Sequence, residues 1–556
     1  MPKQPIFRDL LLPLICVCGG FFLLATVGTE FNKLDVRFAY MLQDLAEHPI
    51  GIFPGINNVP YADYFSPLFF LGYLATGGGR FVNLTTLALP AIILSLVSLL
   101  LIGRAGEKLG RRTGFYAVLL LLSSFEYVYT ACGFGIDLTV AATTAAALYG
   151  LISAPDSRRT LYGCAGLAVL SWAFRGSLGL VVFGSAVAGY LLCAGSWRRV
   201  VRYAVVELIA AFLAIGLTLL LIYKTGGREL LQVFFEWQVG KRVSGGDYFY
   251  YFFDGFFSFA PLTLIALAAV IWGFRKLPRQ PLLPLLGFTL LPLVILSIPG
   301  GKHLRYVVPV LPGLALSGAY ALNYPGVLPE KLLDWCRRHR KLLTVLPLLL
   351  LPTAGVLVWC AKHFELPGEL PCLQLILAAV TALILGWAAF RNQSAPLAAA
   401  IAALTLLTGY CLLAIPFIGA AENSSNFVAA VEARRTGPVA LFDVDPDHDG
   451  LKYLVHMDKG RRSEVSFLLR HYQDRQNHLD KMYPNQYAPK AVLKNFPRDG
   501  IVIVRADRLD RLETALKGTG RKLGRTLLSG NLGHRKYLAV QLEEVGRAAK
   551  PGSVRK

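Results

Sequence analysis

EFNKLDVRFAYMLQDLAEHPIGIFPGINNVPYADYFSPLFFLGYLATGGGR, residues 30–80, is the stretch on which the fold turns. It separates a first apolar segment (10–27) from a second (81–102). It carries Asp35, Arg37, Asp44 and Asp63 among many aromatic residues, too polar to span a bilayer and too long for a plain connector. Long connections without a repeat are as a rule functional or disordered, and aromatic content of this order opposes disorder. The stretch reads as a folded loop at the membrane face, with short helices and a carboxylate at each end.

Outward from this loop the chain is apolar. Of 556 residues, 54% are hydrophobic and 16% charged, with a mean hydropathy of +0.50, which excludes an ordinary soluble enzyme. Runs near ~20 residues recur, the length that crosses a ~30 Å hydrocarbon core. They fall at 10–27, 81–102, 114–130, 136–153, 161–174, 177–194 and 203–223, then at 259–272, 282–298, 307–321, 342–360, 373–390 and 397–417. That is about thirteen spans by hydropathy. The first follows a weakly basic start (Lys3, Arg8) without a convincing small-x-small cleavage site, so it reads as a retained helix rather than a signal peptide. The nine cysteines are scattered, with no C-x-x-C pair, and read as small buried hydrophobes.

With the N-terminus inside, the inner loops 104–112, 156–159, 197–202, 275–279 and 331–341 are all basic. The outer connections near Arg175 and Lys362 carry few cations. This asymmetry follows the positive-inside rule. It places the 30–80 loop, the 224–258 loop and the C-terminal tail outside the cytoplasm.

The tail, 421–556, loses the long apolar runs. Residues 438–444, 499–506 and 536–545 are strand-like, and 506–518 is a helix candidate with a glycine stop. It holds 25 Lys and Arg against 16 Asp and Glu, a net +9 of the chain's +21. A basic outer domain suits an anionic lipid surface or acceptor, although a merely soluble basic domain has the same charge. The fold class expected is therefore mainly α. A polytopic membrane domain of about thirteen transmembrane helices (1–420, with the 30–80 outer loop) precedes a soluble α/β domain (421–556).

Charges in or beside membrane segments are expensive and tend to be functional. They gather in KLDVRFA (33–39), VPYADYFSPLFF (59–70), CGFGIDLTVA (132–141) and PGGKHLRYVVPVLPGLAL (299–316), with Arg175 at a further outer junction. Plainer readings exist for each. Asp137 is also a favourable helix-start charge, Arg175 a snorkelling anchor, and His303 an ordinary hydrogen-bonding histidine. Lys302, His303, Arg305 and Tyr306 together break the positive-inside trend, on the same side as two carboxylate-bearing loops. Cations there suit a phosphate, and carboxylates suit a base or a metal.

These motifs, in this order, resemble the GT-C superfamily of polytopic glycosyltransferases, most closely its bacterial aminoarabinose transferase and protein O-mannosyltransferase-like branch. The matching runs are Asp35-Val36-Arg37-Phe38-Ala39, Tyr61-Ala62-Asp63 through Pro67-Leu68, Asp137, Arg175-Gly176, and Lys302 through Pro312. The acidic pair usual after helix one is a single Asp35 here. The phosphate-contacting lysine usual after the Tyr61 run is absent, so Lys302, Arg305 or Arg175 would serve instead. The resemblance implies an inverting transfer of a sugar from a polyprenyl-phosphate donor to an extracytoplasmic acceptor, a lipid A-like glycolipid or another envelope glycan. It implies Asp35, Asp63 and Asp137 as catalytic carboxylates, and Lys302, Arg305, Tyr306 and Arg175 around the donor phosphate. Arg37, Tyr61 and His303 follow as further substrate contacts. Some relatives bind a divalent metal near this site, which makes Asp63 the first oxygen ligand to test. A monomer in the bacterial inner membrane is expected, touching membrane lipids and no nucleic acid, with its active site and tail on the periplasmic face. The competing class is a lipid or sugar transporter or flippase. The chain shows no hydropathy repeat or paired broken helices of the transporter kind.

Overall fold

The computed structural model describes residues 7–29, 53–56, 59–60, 65–235, 248–324, 326–327, 342–366, 368–391, 394–423, 425–437, 439–442, 466–468, 493–532 and 535–545, with residues 35, 38, 39, 41, 42, 45, 46 and 338. The chain divides into two compact units. The first comprises 1–29, 41–360 and 370–417; the second comprises 30–40, 361–369 and 418–556. The short segments 30–40 and 361–369 thus group with the tail, and the division falls at 418.

The first unit is helical. Among the described residues, nine helices are long and apolar enough to cross a membrane. A tenth candidate is the bent pair Thr113–Leu122 and Phe125–Ala131. The first helix, Phe7–Thr26, has 20 residues, while Leu262–Gly273 is apolar but short. The expected segments 161–174 and 177–194 are two helices joined at a sharp break within one continuous run. That run, Arg158–Cys193, has 36 residues. Straight, it would be ~54 Å long at ~1.5 Å per residue, far beyond a ~30 Å core. Yet its two ends meet. Arg199, on the next helix (Trp197–Phe235), donates to both carboxylate oxygens of Asp156 at 2.8 and 2.6 Å, and the Tyr203 hydroxyl donates to the Pro155 carbonyl at 2.7 Å. The run therefore doubles back, and it does so at Gly176, whose φ of 61° and ψ of −143° leave the helical region. Arg175 lies at this apex.

Local chemistry sets the other elements. Asn83 caps the Leu84–Leu109 helix reciprocally: its side chain accepts from the Thr86 N–H at 3.0 Å, while the Thr86 hydroxyl accepts from the Asn83 N–H at 3.1 Å. Small residues then let helices touch backbone to backbone. A Cβ on Gly189 would sit 2.1 Å from the Gly287 carbonyl oxygen, so the returning half of the doubled helix packs directly on Arg279–Leu296. Gln374 is buried on the Cys372–Arg391 helix. Its side-chain N–H groups donate to the carbonyls of Leu24 (3.1 Å) and Val27, fastening the end of the first helix.

The second unit carries a five-stranded mixed sheet in the order 466–468, 439–442, 501–505, 535–544, 521–532. Val439–Phe442 pairs in parallel with both Ser466–Leu468 and Ile501–Arg505, while the last two strands run antiparallel. Val502, Val504, Val540 and Leu542 form its core with Leu512 and Leu516, which come from the Leu509–Leu516 helix.

Candidate active site

The site is built from the start of the Ile136–Ser153 helix. Gly135 precedes it with φ +51°, and a Cβ there would meet the Thr130 carbonyl oxygen at 2.5 Å, so the turn accepts only glycine. The turn places Asp137 in the first helical turn, fully buried. Burial of a lone carboxylate is prohibitive, so its partners are decisive. Arg175, at the apex of the doubled helix and equally buried, donates from Nε to Asp137 Oδ1 at 2.9 Å. Arg305, on the 3-10 turn Leu304–Val310, brings its Nε to 3.4 Å from Asp137 Oδ2 and keeps part of its side chain accessible.

The helix bearing Asp137 also fastens both arginine-bearing segments. Thr143 and Ser171 hydroxyls lie 2.7 Å apart, one turn before Arg175. The Thr144 hydroxyl donates to the Pro309 carbonyl at 2.6 Å, four residues beyond Arg305. Tyr306 lies against both guanidinium groups, with its ring centroid 5.4 Å from the Arg175 Cζ and 5.8 Å from that of Arg305. The His303 ring meets the Tyr306 ring edge-on at 5.1 Å.

Lys302 extends this cluster. Its ammonium donates to the Leu296 carbonyl at 3.2 Å and to that of Ser297, and stands 5.4 Å from the ring centroid of Tyr251. The His303 backbone N–H donates to the Tyr251 hydroxyl at 3.3 Å. Burial pushes that hydroxyl's pKa up, so it keeps its proton and has it to give. Two guanidiniums on one carboxylate, with an ammonium and a protonated phenol beside them, are chemically suited to an anion with several oxygens.

The structure thus brings together Asp137, Arg175, Lys302, His303, Arg305 and Tyr306, which the sequence singled out. Asp35 is buried, on the 30–40 segment that groups with the second unit. Arg37, Tyr61 and Asp63 lie outside the described residues. Among the described residues no group of three or more His, Cys, Asp or Glu could hold a metal ion. Sequence reasoning missed Tyr251. It sits within the aromatic run YFYYFF (248–253), where nothing marks one ring from the next.

A multi-pass helical membrane protein with a buried arginine–carboxylate cluster at the ends of its helices is the class that fold and site define. Residues 71–223, which include Asp137 and Arg175, match the family model described as dolichyl-phosphate-mannose-protein mannosyltransferase. The whole fold is similar to that of ArnT from Cupriavidus metallidurans bound to undecaprenyl phosphate. The TM-score is 0.70 at 15% sequence identity, covering 98% of this chain and 99% of that one. The apo state of ArnT from Cupriavidus metallidurans gives a TM-score of 0.67 at 15% identity, covering 96% and 97%. Among curated protein sequences none matches. The chain resembles the GT-C polytopic glycosyltransferases of the ArnT and protein mannosyltransferase type.

Proposed function

We propose that the chain is an integral-membrane glycosyltransferase that moves a sugar from a polyprenyl-phosphate carrier to an acceptor in the bacterial envelope, with inversion at the anomeric carbon. The observation that carries this reading is the convergence of Arg175 and Arg305 on buried Asp137, with Tyr306 against both. Catalysis of this kind needs fixed cations where a lipid phosphate departs, because charge grows on its oxygens as the glycosidic bond breaks. Asp137 is committed to two guanidiniums, so its role here is to hold them. Asp35, the acid that follows the first helix, is then proposed to take the acceptor's proton, with Asp63 as the alternative. The bound undecaprenyl phosphate in the similar ArnT structure supports the lipid class of the donor. The basic inner loops support an active site and tail on the periplasmic face.

The test uses purified full-length protein in liposomes with radiolabelled polyprenyl-phosphate sugars and an envelope lipid extract. The expected result is label in an acceptor with release of polyprenyl phosphate. Label that crosses the bilayer with its carrier intact would identify a flippase instead.

A further inference from the structure

Ser171 and Trp172 follow each other on the first limb of the doubled helix, one turn before Arg175. Their side chains fasten that limb to two different helices. Ser171 meets Thr143 on the helix that bears Asp137. Trp172 is buried, and its indole Nε1–H donates to the Thr218 hydroxyl oxygen at 3.0 Å, on the Trp197–Phe235 helix. Thr218 gives its own proton to the Ala214 carbonyl at 2.8 Å, which leaves a lone pair to receive the indole. A buried indole needs such a partner, whereas a phenylalanine would fill the space without one.

The Trp172 ring also lies 5.8 Å from that of Phe65. Phe65 is buried against Phe53 at 5.5 Å and Phe234 at 6.0 Å, and those two rings are 6.2 Å apart. Phe234 stands near the end of the Trp197–Phe235 helix, beyond its break at Gly226 and Gly227. Phe53 and Phe65 belong to the 30–80 stretch, whose sequence carries both Asp35 and Asp63. Phe65 occupies the N-cap of Ser66–Ala75, two residues after Asp63. Trp172 therefore touches the 30–80 stretch with its ring, while its N–H fixes the limb that ends in Arg175.

We propose that Trp172 is a positioning residue for the transfer, registering the Phe53–Phe65 end of the 30–80 stretch against the arginine apex. The inference rests on the glycosyltransferase reading. In that reaction the arginines hold the departing phosphate and a carboxylate of the 30–80 stretch receives the acceptor's proton. The spacing of the two governs the rate of transfer. It bears little on lipid binding, because Asp137 still holds Arg175 when the indole bond is lost.

The experiment uses full-length protein and three variants. Trp172→Phe keeps a ring and removes the N–H, Thr218→Val keeps the volume and removes the acceptor, and Thr218→Ser keeps the acceptor. Undecaprenyl phosphate binding counts the intact sites and gives Kd. Transfer from a radiolabelled undecaprenyl-phosphate sugar to an envelope lipid extract gives kcat per intact site. Trp172→Phe and Thr218→Val should each lower kcat per site roughly ten- to a hundred-fold, the scale on which a misplacement of ~1 Å slows an oriented reaction. Kd should stay within about twofold of the parent, and the double variant should be no slower than the slower single, since both remove one bond. Thr218→Ser should keep the parent's kcat. A residue that only stabilises the fold would reduce the number of sites and leave kcat per site unchanged, which overturns the inference alone. Loss of Kd and kcat together also overturns it. If Trp172→Phe yields no lipid-binding protein, Thr218→Val against Thr218→Ser decides by the same criteria. If the parent transfers no sugar, the glycosyltransferase reading fails first and the inference with it.

Discussion

At the scale of single residues, the division of labour among the carboxylates is the sharpest claim. Asp137 touches guanidinium nitrogens on both of its oxygens. Asp35 is buried on a separate segment and is proposed as the base. Loss of a general base typically costs about 10²–10⁴-fold in rate. Asp35→Asn should therefore reach the membrane folded and lose transfer on that scale, measured with radiolabelled donor. Near-parent turnover in that variant would remove Asp35 from the chemistry. Tyr251 makes a gentler prediction. Its raised pKa means that the folded state keeps the phenolic proton. Its contribution is therefore complete below the ordinary tyrosine value of about 10 and is lost only as pH rises through the raised folded-state value. Tyr251→Phe should reduce transfer by about fivefold to tenfold, one hydrogen bond's worth, equally at pH 6 and pH 8.

At the scale of elements, the site depends on three segments meeting: the Ile136–Ser153 helix, the apex at Gly176 and the Leu304–Val310 turn. The Thr144 hydroxyl bond to the Pro309 carbonyl joins the first to the third. Thr144→Val keeps the volume and removes that bond, at a typical cost of ~1 kcal/mol or somewhat more because the carbonyl is left buried. The expected outcome is a small drop in melting temperature and a larger loss of donor affinity, since Arg305 rides on the turn. A drop in stability with donor affinity unchanged would show that the turn is placed by packing alone. Much of this site was legible in the sequence, for a physical reason. In the expected orientation Arg175, Lys302 and Arg305 stand where the positive-inside bias disfavours cations, and Asp137 heads an otherwise apolar helix, so each was visible as an exception to a simple rule. Tyr251 breaks no such rule: it is an aromatic among aromatics. The tail shows the same contrast. Ile501–Arg505 and Arg535–Glu544 read as strands, whereas Arg521–Leu532 did not. Its pairing shifts register between Leu523 and Thr526 and again before Leu528, which destroys the two-residue alternation that sequence reading depends on. The doubled helix at Gly176 was legible only as two apolar segments. The break at Gly176 keeps them two helices, and the contact of Asp156 with Arg199 shows that the second folds back along the first.

At the scale of the whole molecule, sidedness and donor chemistry are the claims that matter. The orientation proposed from the basic inner loops has the tail outside and the 331–341 loop inside. Single cysteines at Ser425 and Arg338, in a protein otherwise free of thiols, separate the cases with a membrane-impermeant reagent on spheroplasts. Labelling at 425 and not at 338 is expected; the reverse pattern contradicts the orientation. The central claim is that the arginine cluster holds a lipid phosphate, and binding of undecaprenyl phosphate with no acceptor present tests it most directly. Arg305 is the residue to change, because it is partly accessible, whereas removing Arg175 would strand a buried carboxylate and risk the fold. A charge-assisted hydrogen bond to a buried anion is worth about 1.5–3 kcal/mol, so Arg305→Ala should weaken binding by roughly ten- to over a hundred-fold. Arg305→Lys should fall between that variant and the parent, since an ammonium cannot hold two phosphate oxygens as a guanidinium does. Undecaprenyl phosphate bound as tightly by Arg305→Ala as by the parent would contradict the account.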